Sequence, residues 1–126
     1  MRRRTCLATL ATAGAALAAP APHPIQLHVD LEVDPAKEKE LVLNFRRVFR
    51  PAISKQPGFV SVRLLKLRQA VVGAAPANAP YRLVISFQTE EQRQTWVASE
   101  DHQRAWPAIE GTLKGAKLTV LLYNTV

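Results

Sequence analysis

The chain has 126 residues, with 17 Lys and Arg against 10 Asp and Glu for a formal net charge of +7, and a single cysteine. That length suits one core and excludes two. The basic residues are scattered along the chain, which gives no case for nucleic-acid binding, and one cysteine excludes an internal disulfide.

Residues 1–18 read as an export signal. Met1-Arg2-Arg3-Arg4 is a positive leader, Cys6 to Ala19 is apolar and uncharged, and Ala16-Leu17-Ala18 fits a cleavage site. The apolar run is shorter than the ~20 residues of a membrane span, and no second one follows. Cleavage near Ala18 removes three arginines and no acid, taking the charge from +7 to +4, and it removes Cys6. Arg3-Arg4-Thr5-Cys6-Leu7 also admits a twin-arginine route. The expectation is an exported protein, periplasmic or secreted, with no membrane contact after cleavage. Residues 19–24 form an Ala/Pro spacer, and 25–126 form the folded domain.

Ile25 to Val33 alternates strictly. Ile25, Leu27, Val29, Leu31 and Val33 share one face; Gln26, His28, Asp30 and Glu32 share the other, as in a strand with one buried side. Asp34-Pro35 supplies a helix cap and first helical residue. Ala36 to Ser54 is predicted helical, with a stripe of Leu41, Val42, Phe45, Val48, Phe49, Ala52 and Ile53. Pro51 should bend or end that helix, and Gln56-Pro57-Gly58 turns the chain. Phe59 to Arg68 is a second strand. Residues 69–80 form a long hairpin loop in which Val71-Val72 could extend the strand. Tyr81 to Gln88 is a third strand, with Tyr81, Leu83, Ile85 and Phe87 on one face. Thr89-Glu90-Glu91-Gln92 reads as a capping box opening a second helix through Trp96 and Val97. Ser99 to Asp101 can break that helix and recap a segment carrying His102, Trp106 and Ile109, with Pro107 forcing a kink or restart. Lys117 to Asn124 is the last strand.

The order β-α-β-β-α-β within about 100 residues is the ferredoxin-like split βαβ pattern, an α+β fold with two helices on one face of a four-stranded antiparallel sheet. The opposite face is half polar and half aliphatic, suited to self-association.

On these elements the chain resembles the antibiotic biosynthesis monooxygenase domain family of dimeric α/β-barrel proteins. The matching phrases are His28-Val29-Asp30-Leu31-Glu32-Val33-Asp34-Pro35, Arg50-Pro51-Ala52, Gln56-Pro57-Gly58-Phe59, Tyr81-Arg82-Leu83-Val84 and Glu91-Gln92-Arg93, together with the spaced set Trp96, Ser99, His102, Trp106. The resemblance implies a homodimer joined through the open sheet faces and a small cavity between sheet and helices. It implies oxygenation of a small aromatic or quinol-like substrate without flavin or metal, where the substrate's own carbanion reduces dioxygen and the protein supplies a base, hydrogen bonds and a dry pocket. Haem-degrading relatives use an Asn, Trp and His set, whereas the first strand here holds His28 and Asp30. The alternative to an enzyme is a non-catalytic exported binding or stress-related module of the same fold.

Within that frame His102 is the candidate catalytic base, since imidazole titrates near neutrality; otherwise it is a capping or surface histidine. Trp96, Trp106, Tyr81 and Phe45 are the candidate pocket residues, each also compatible with plain packing. His28 belongs to the face away from the helices. No cofactor is expected, and the histidine spacing gives no case for a metal.

Overall fold

The computed structural model describes residues 23–126. The predicted export signal and all but the end of the spacer lie outside the described residues. Strands β1 (Ile25–Val33), β2 (Phe59–Lys66), β3 (Tyr81–Phe87) and β4 (Leu113–Asn124) form one sheet in the order β2-β3-β1-β4. Every pairing is antiparallel. This is the predicted ferredoxin-like arrangement. Among the described residues no helix is long and apolar enough to cross a membrane.

The first helical stretch begins with a short 3-10 turn at Pro35–Lys37, capped by Asp34, whose carboxylate accepts from Ala36 N at 2.9 Å. It continues through α1 (Glu38–Asn44), a π-helical turn at Phe45–Phe49, and α2 (Arg50–Ser54). Pro51 neither bends away nor ends the helix. Proline lacks an N–H and crowds the carbonyl four residues back, so the turn before it widens. The Arg50 amide accordingly donates to the Phe45 carbonyl, five residues back.

That wider turn sets which residues are buried. Leu41, Phe45, Phe49 and Ile53 are all nearly inaccessible. In a regular helix a spacing of four drifts by about 40° per step, so three steps would carry Ile53 well round from Leu41. One added residue takes back about 100° of that drift. Val48, expected on the apolar stripe, is instead exposed.

β2 stops at Lys66, and Val71 and Val72 are exposed in the loop instead of extending the strand. The loop is closed at its base by Leu67 N donating to Pro80 O at 2.7 Å. β4 starts four residues earlier than predicted. Its first part is bulged: Val33 pairs with Leu113 and Leu31 with Leu118, and the extra residues include Gly115 and Ala116 at positive φ. Helices α3 (Glu90–Ala98) and α4 (Glu100–Glu110) are separated at Ser99, and α4 runs on through Pro107 to its end at Glu110.

The expected capping box is half formed. Thr89 Oγ1 accepts from Gln92 N at 3.2 Å. The Gln92 side chain does not return to the cap; it lies over Gly58, with its buried Oε1 unpaired among the described residues. Gly58 has φ +80, and a β-carbon there would sit 1.9 Å from Gln92 Oε1. Gly58→Ala should therefore cost about 2 kcal/mol, part backbone and part collision. Adding Gln92→Ala should recover the collision and leave about 1 kcal/mol of backbone cost. Urea unfolding of the single and double variants measures both parts; simple additivity would remove Gln92 from the explanation.

Candidate active site

Ser99 organises the site. Its backbone is extended (φ −75, ψ 157), which ends α3 and caps α4. The Ser99 hydroxyl donates to the Trp96 carbonyl at 2.6 Å and accepts from the His102 amide at 3.1 Å. One side chain thus satisfies a carbonyl left over from one helix and an amide left over from the next. The two residues it ties together carry adjacent rings: Trp96 and His102 have centroids 5.0 Å apart at 79°. Trp106, one turn further along α4, stacks with His102 at 6.1 Å and 13°.

Phe49, delivered by the π turn, completes the group. It meets Trp96 edge-on at 5.8 Å and Trp106 at 6.3 Å, and it is 1 % exposed. These four rings roof a cavity of about 230 Å³. Its floor is the helix-side face of the sheet, with Leu27 and Val29 of β1, Leu83 and Ile85 of β3, and Leu118 and Val120 of β4. Arg93 and Val97 on α3 line the same space.

His102 and Arg93 are the titratable groups of this lining. Burial against the aromatic rings pushes the His102 imidazole below its usual value, because the cation loses hydration without gaining a counter-charge. Among the described residues nothing hydrogen-bonds its ring nitrogens. Arg93 is held by Glu90, whose carboxylate accepts from Nε and from Nη2, each at 2.6 Å. The hydrogen bond from Arg93 holds Glu90 below the ordinary carboxylate range. Among the described residues no cluster of three or more His, Cys, Asp or Glu could hold a metal.

The structure thus brings His102, Trp96 and Trp106 to one cavity and places two other expected pocket residues elsewhere. Tyr81 begins β3 at the other end of the sheet, where its hydroxyl donates to Glu38 Oε1 at 2.8 Å. Burial is the main reason its phenol is pushed up. Phe45 is buried under Arg50, whose guanidinium lies 5.6 Å from the ring centroid. Both face a separate groove between the first helix and β2. The residue that sequence reasoning set in the core rather than the pocket is Phe49, four positions beyond Phe45, together with Arg93, which carried no site signal beyond its place in a matching phrase. His28 lies on the opposite sheet face, hydrogen-bonded to Gln26 Oε1 at 2.8 Å and 4.7 Å from the Tyr123 ring.

A histidine depressed by burial makes folding pH-dependent. The unfolded chain binds its proton more readily, so stability is whole above about pH 6.5 and falls as pH drops through the lower folded value. The shifted carboxylates Glu38, Glu90 and Asp101 sit below their own ordinary ranges and lose their contributions only at lower pH. Thermal unfolding between about pH 7 and 5 should show the loss in wild type and a shallower one in His102→Gln. Equal slopes would mean that His102 is not desolvated.

A family model described as antibiotic biosynthesis monooxygenase matches residues 24–107. No curated protein matches. Among solved structures, a dimeric ferredoxin-like protein of unknown function from Jannaschia sp. CCS1 superposes with TM-score 0.67 at 15% identity, covering 79% of this chain and 97% of its own. A variant of SnoaB, a cofactor-independent oxygenase from Streptomyces nogalater, gives TM-score 0.61 at 17% identity, covering 82% of this chain and 92% of its own. A dimeric ferredoxin-like protein of unknown function from Thermobifida fusca YX gives TM-score 0.61 at 14% identity, covering 86% and 96%. Fold, strand order and the family match over two-thirds of the sequence agree: the chain belongs to the antibiotic biosynthesis monooxygenase family.

Proposed function

We propose that the cavity oxygenates a small aromatic or quinol-like substrate without an added cofactor, with His102 as the base. The observation that carries this reading is an imidazole set into an aromatic and aliphatic cavity whose ring nitrogens have no hydrogen-bond partner among the described residues. Burial keeps it neutral near pH 7, ready to accept a proton. For a substrate with a CH2 activated by an aryl ketone, His102 takes one proton and leaves a carbanion. The carbanion passes an electron to dioxygen, and the radical pair closes a C–O bond as a peroxide. The imidazolium returns its proton to that peroxide. The imidazole then takes the second proton from the same carbon as the O–O bond breaks. The products are a ketone and water. The two C–H bonds supply all four electrons, so no outside reductant is needed. The apolar walls on the sheet and helix sides limit the water that can reach and quench the carbanion.

The test is oxygen uptake by residues 19–126 with a panel of anthrones and quinols and no additive. Uptake should fall at least about a hundredfold in His102→Ala. In wild type kcat/KM should rise with pH through a value below about 6.5 and then level off, as expected for a base that must be deprotonated. No uptake from any substrate sinks the enzyme reading. Uptake retained in His102→Ala keeps the enzyme and removes His102 as its base.

The position of Tyr81 favours a second reading. With its hydroxyl committed to Glu38 outside the cavity, the lining holds, among the described residues, no acid–base group beside His102 that a proton relay at neutral pH would use. A non-catalytic small-molecule binder of the same fold fits that arrangement.

We also propose that the chain pairs through the sheet face opposite the helices, where Leu65, Leu121 and Tyr123 are exposed beside Val84. The dimeric solved relatives support it. Leu121→Asp should convert a dimer to a monomer in sedimentation equilibrium; a wild type that sediments as a monomer refutes the pairing. Export with cleavage near Ala18 remains part of this reading, and mass spectrometry of the protein recovered from the producing cells measures it.

A further inference from the structure

Among the described residues one permanent cation, Arg93, stands in the cavity wall, and its donors are not all used. Arg93 is four-fifths buried, its side chain 19% exposed. A guanidinium carries five N–H donors. Glu90 takes one on Nε and one on Nη2. The remaining donors, two on Nη1 and one on Nη2, meet no acceptor among the described residues. These donors are reached by water, and an oxygen brought by a ligand would replace that water inside the apolar pocket. Glu90 keeps the guanidinium in place, so little side-chain freedom is lost on binding. Size narrows the ligand further. An apolar cavity of about 150 Å³ accepts one benzene ring. The 230 Å³ here holds a second fused ring, and the open side at half-exposed Val97 and Val120 leaves any third ring outside.

We propose that this cavity takes a one- or two-ring aromatic acid, with Arg93 receiving its carboxylate or phenolate oxygen and Trp96, Phe49 and Trp106 covering its rings. The inference deepens the reading of the cavity as the small-molecule site and does not need that site to be catalytic. Arg93 is then a specificity residue, selecting an anion among ligands of equal shape.

The probes are 2-naphthoate and its neutral counterpart 2-naphthamide, bound to the protein at about pH 8, where His102 is uncharged. Calorimetry gives the affinities. Quenching of tryptophan fluorescence locates the ligand, because the chain's 2 tryptophans both line the cavity. Wild type should bind naphthoate at least tenfold tighter than naphthamide. Arg93→Leu should bring naphthoate down to the naphthamide level while leaving naphthamide within about twofold. Arg93→Gln keeps a polar stem without charge, guards against a folding defect, and should show the same loss. Glu90→Gln retains the cation and should retain the preference. Equal affinities in wild type, a preference that survives both Arg93 substitutions, or no binding of either probe would overturn the proposal. Oxygen uptake is read separately: an anion preference without any uptake leaves this inference standing and removes the oxygenase reading.

Discussion

Much of this molecule depends on one hydroxyl. The hydrogen bonds Ser99 makes to the Trp96 carbonyl and the His102 amide close one helix and open the next at a single residue. A helix running straight from Glu90 to Glu110 would set Trp96 and His102 about 600° apart, on different faces. The break brings their rings to 5.0 Å, so the cavity roof follows from a backbone event at one residue. Two amide side chains tie α4 to the first helix and the turn after it: Asn44 donates to the Ala108 carbonyl at 2.9 Å, and Gln56, in the turn, donates to the Asp101 carboxylate at 2.8 Å.

The first helix answers with its own irregularity. Pro51 forces a wider turn, and that turn keeps Phe49 in phase with Leu41, Phe45 and Ile53. Phe49 then touches both tryptophans. Two departures from regular helix, one on each side of the cavity, therefore set its aromatic lining. The sheet beneath is regular where it forms the floor; its irregularities lie past Leu31 in the β1–β4 pairing and between Phe59 and Ser61 in the β2–β3 pairing.

The strands with strict alternation were legible because a period of two has one physical meaning, and β1 and the helix side of β3 followed it residue by residue. The Ser99 break was legible too, since a capping residue after an apolar pair carries its own mechanism. Tyr81 and Phe45 show where such reasoning ends. Alternation and helical phase assign a face; they do not say which stretch of that face a helix leaves open. Tyr81 was on the expected face at the opposite end of the sheet, and Phe45 was one helical step short of the cavity that Phe49 reaches. Val48 was misassigned because a π turn changes the period in mid-helix. The early start of β4 was hidden by Gly115 and Ala116, which interrupt the pattern with positive φ.

β4 is an edge strand, and it serves two sides at once. Leu118 and Val120 belong to the cavity floor, while Leu121 and Tyr123 look out on the opposite face beside His28. Only one backbone thickness lies between those surfaces. Whatever orders this strand from outside also stiffens the floor of the cavity, and whatever fills the cavity stiffens the outer surface. A ligand in the cavity and a second copy on the outer face, as proposed above, would by thermodynamic reciprocity each change the other's affinity, with a single strand as the link between them.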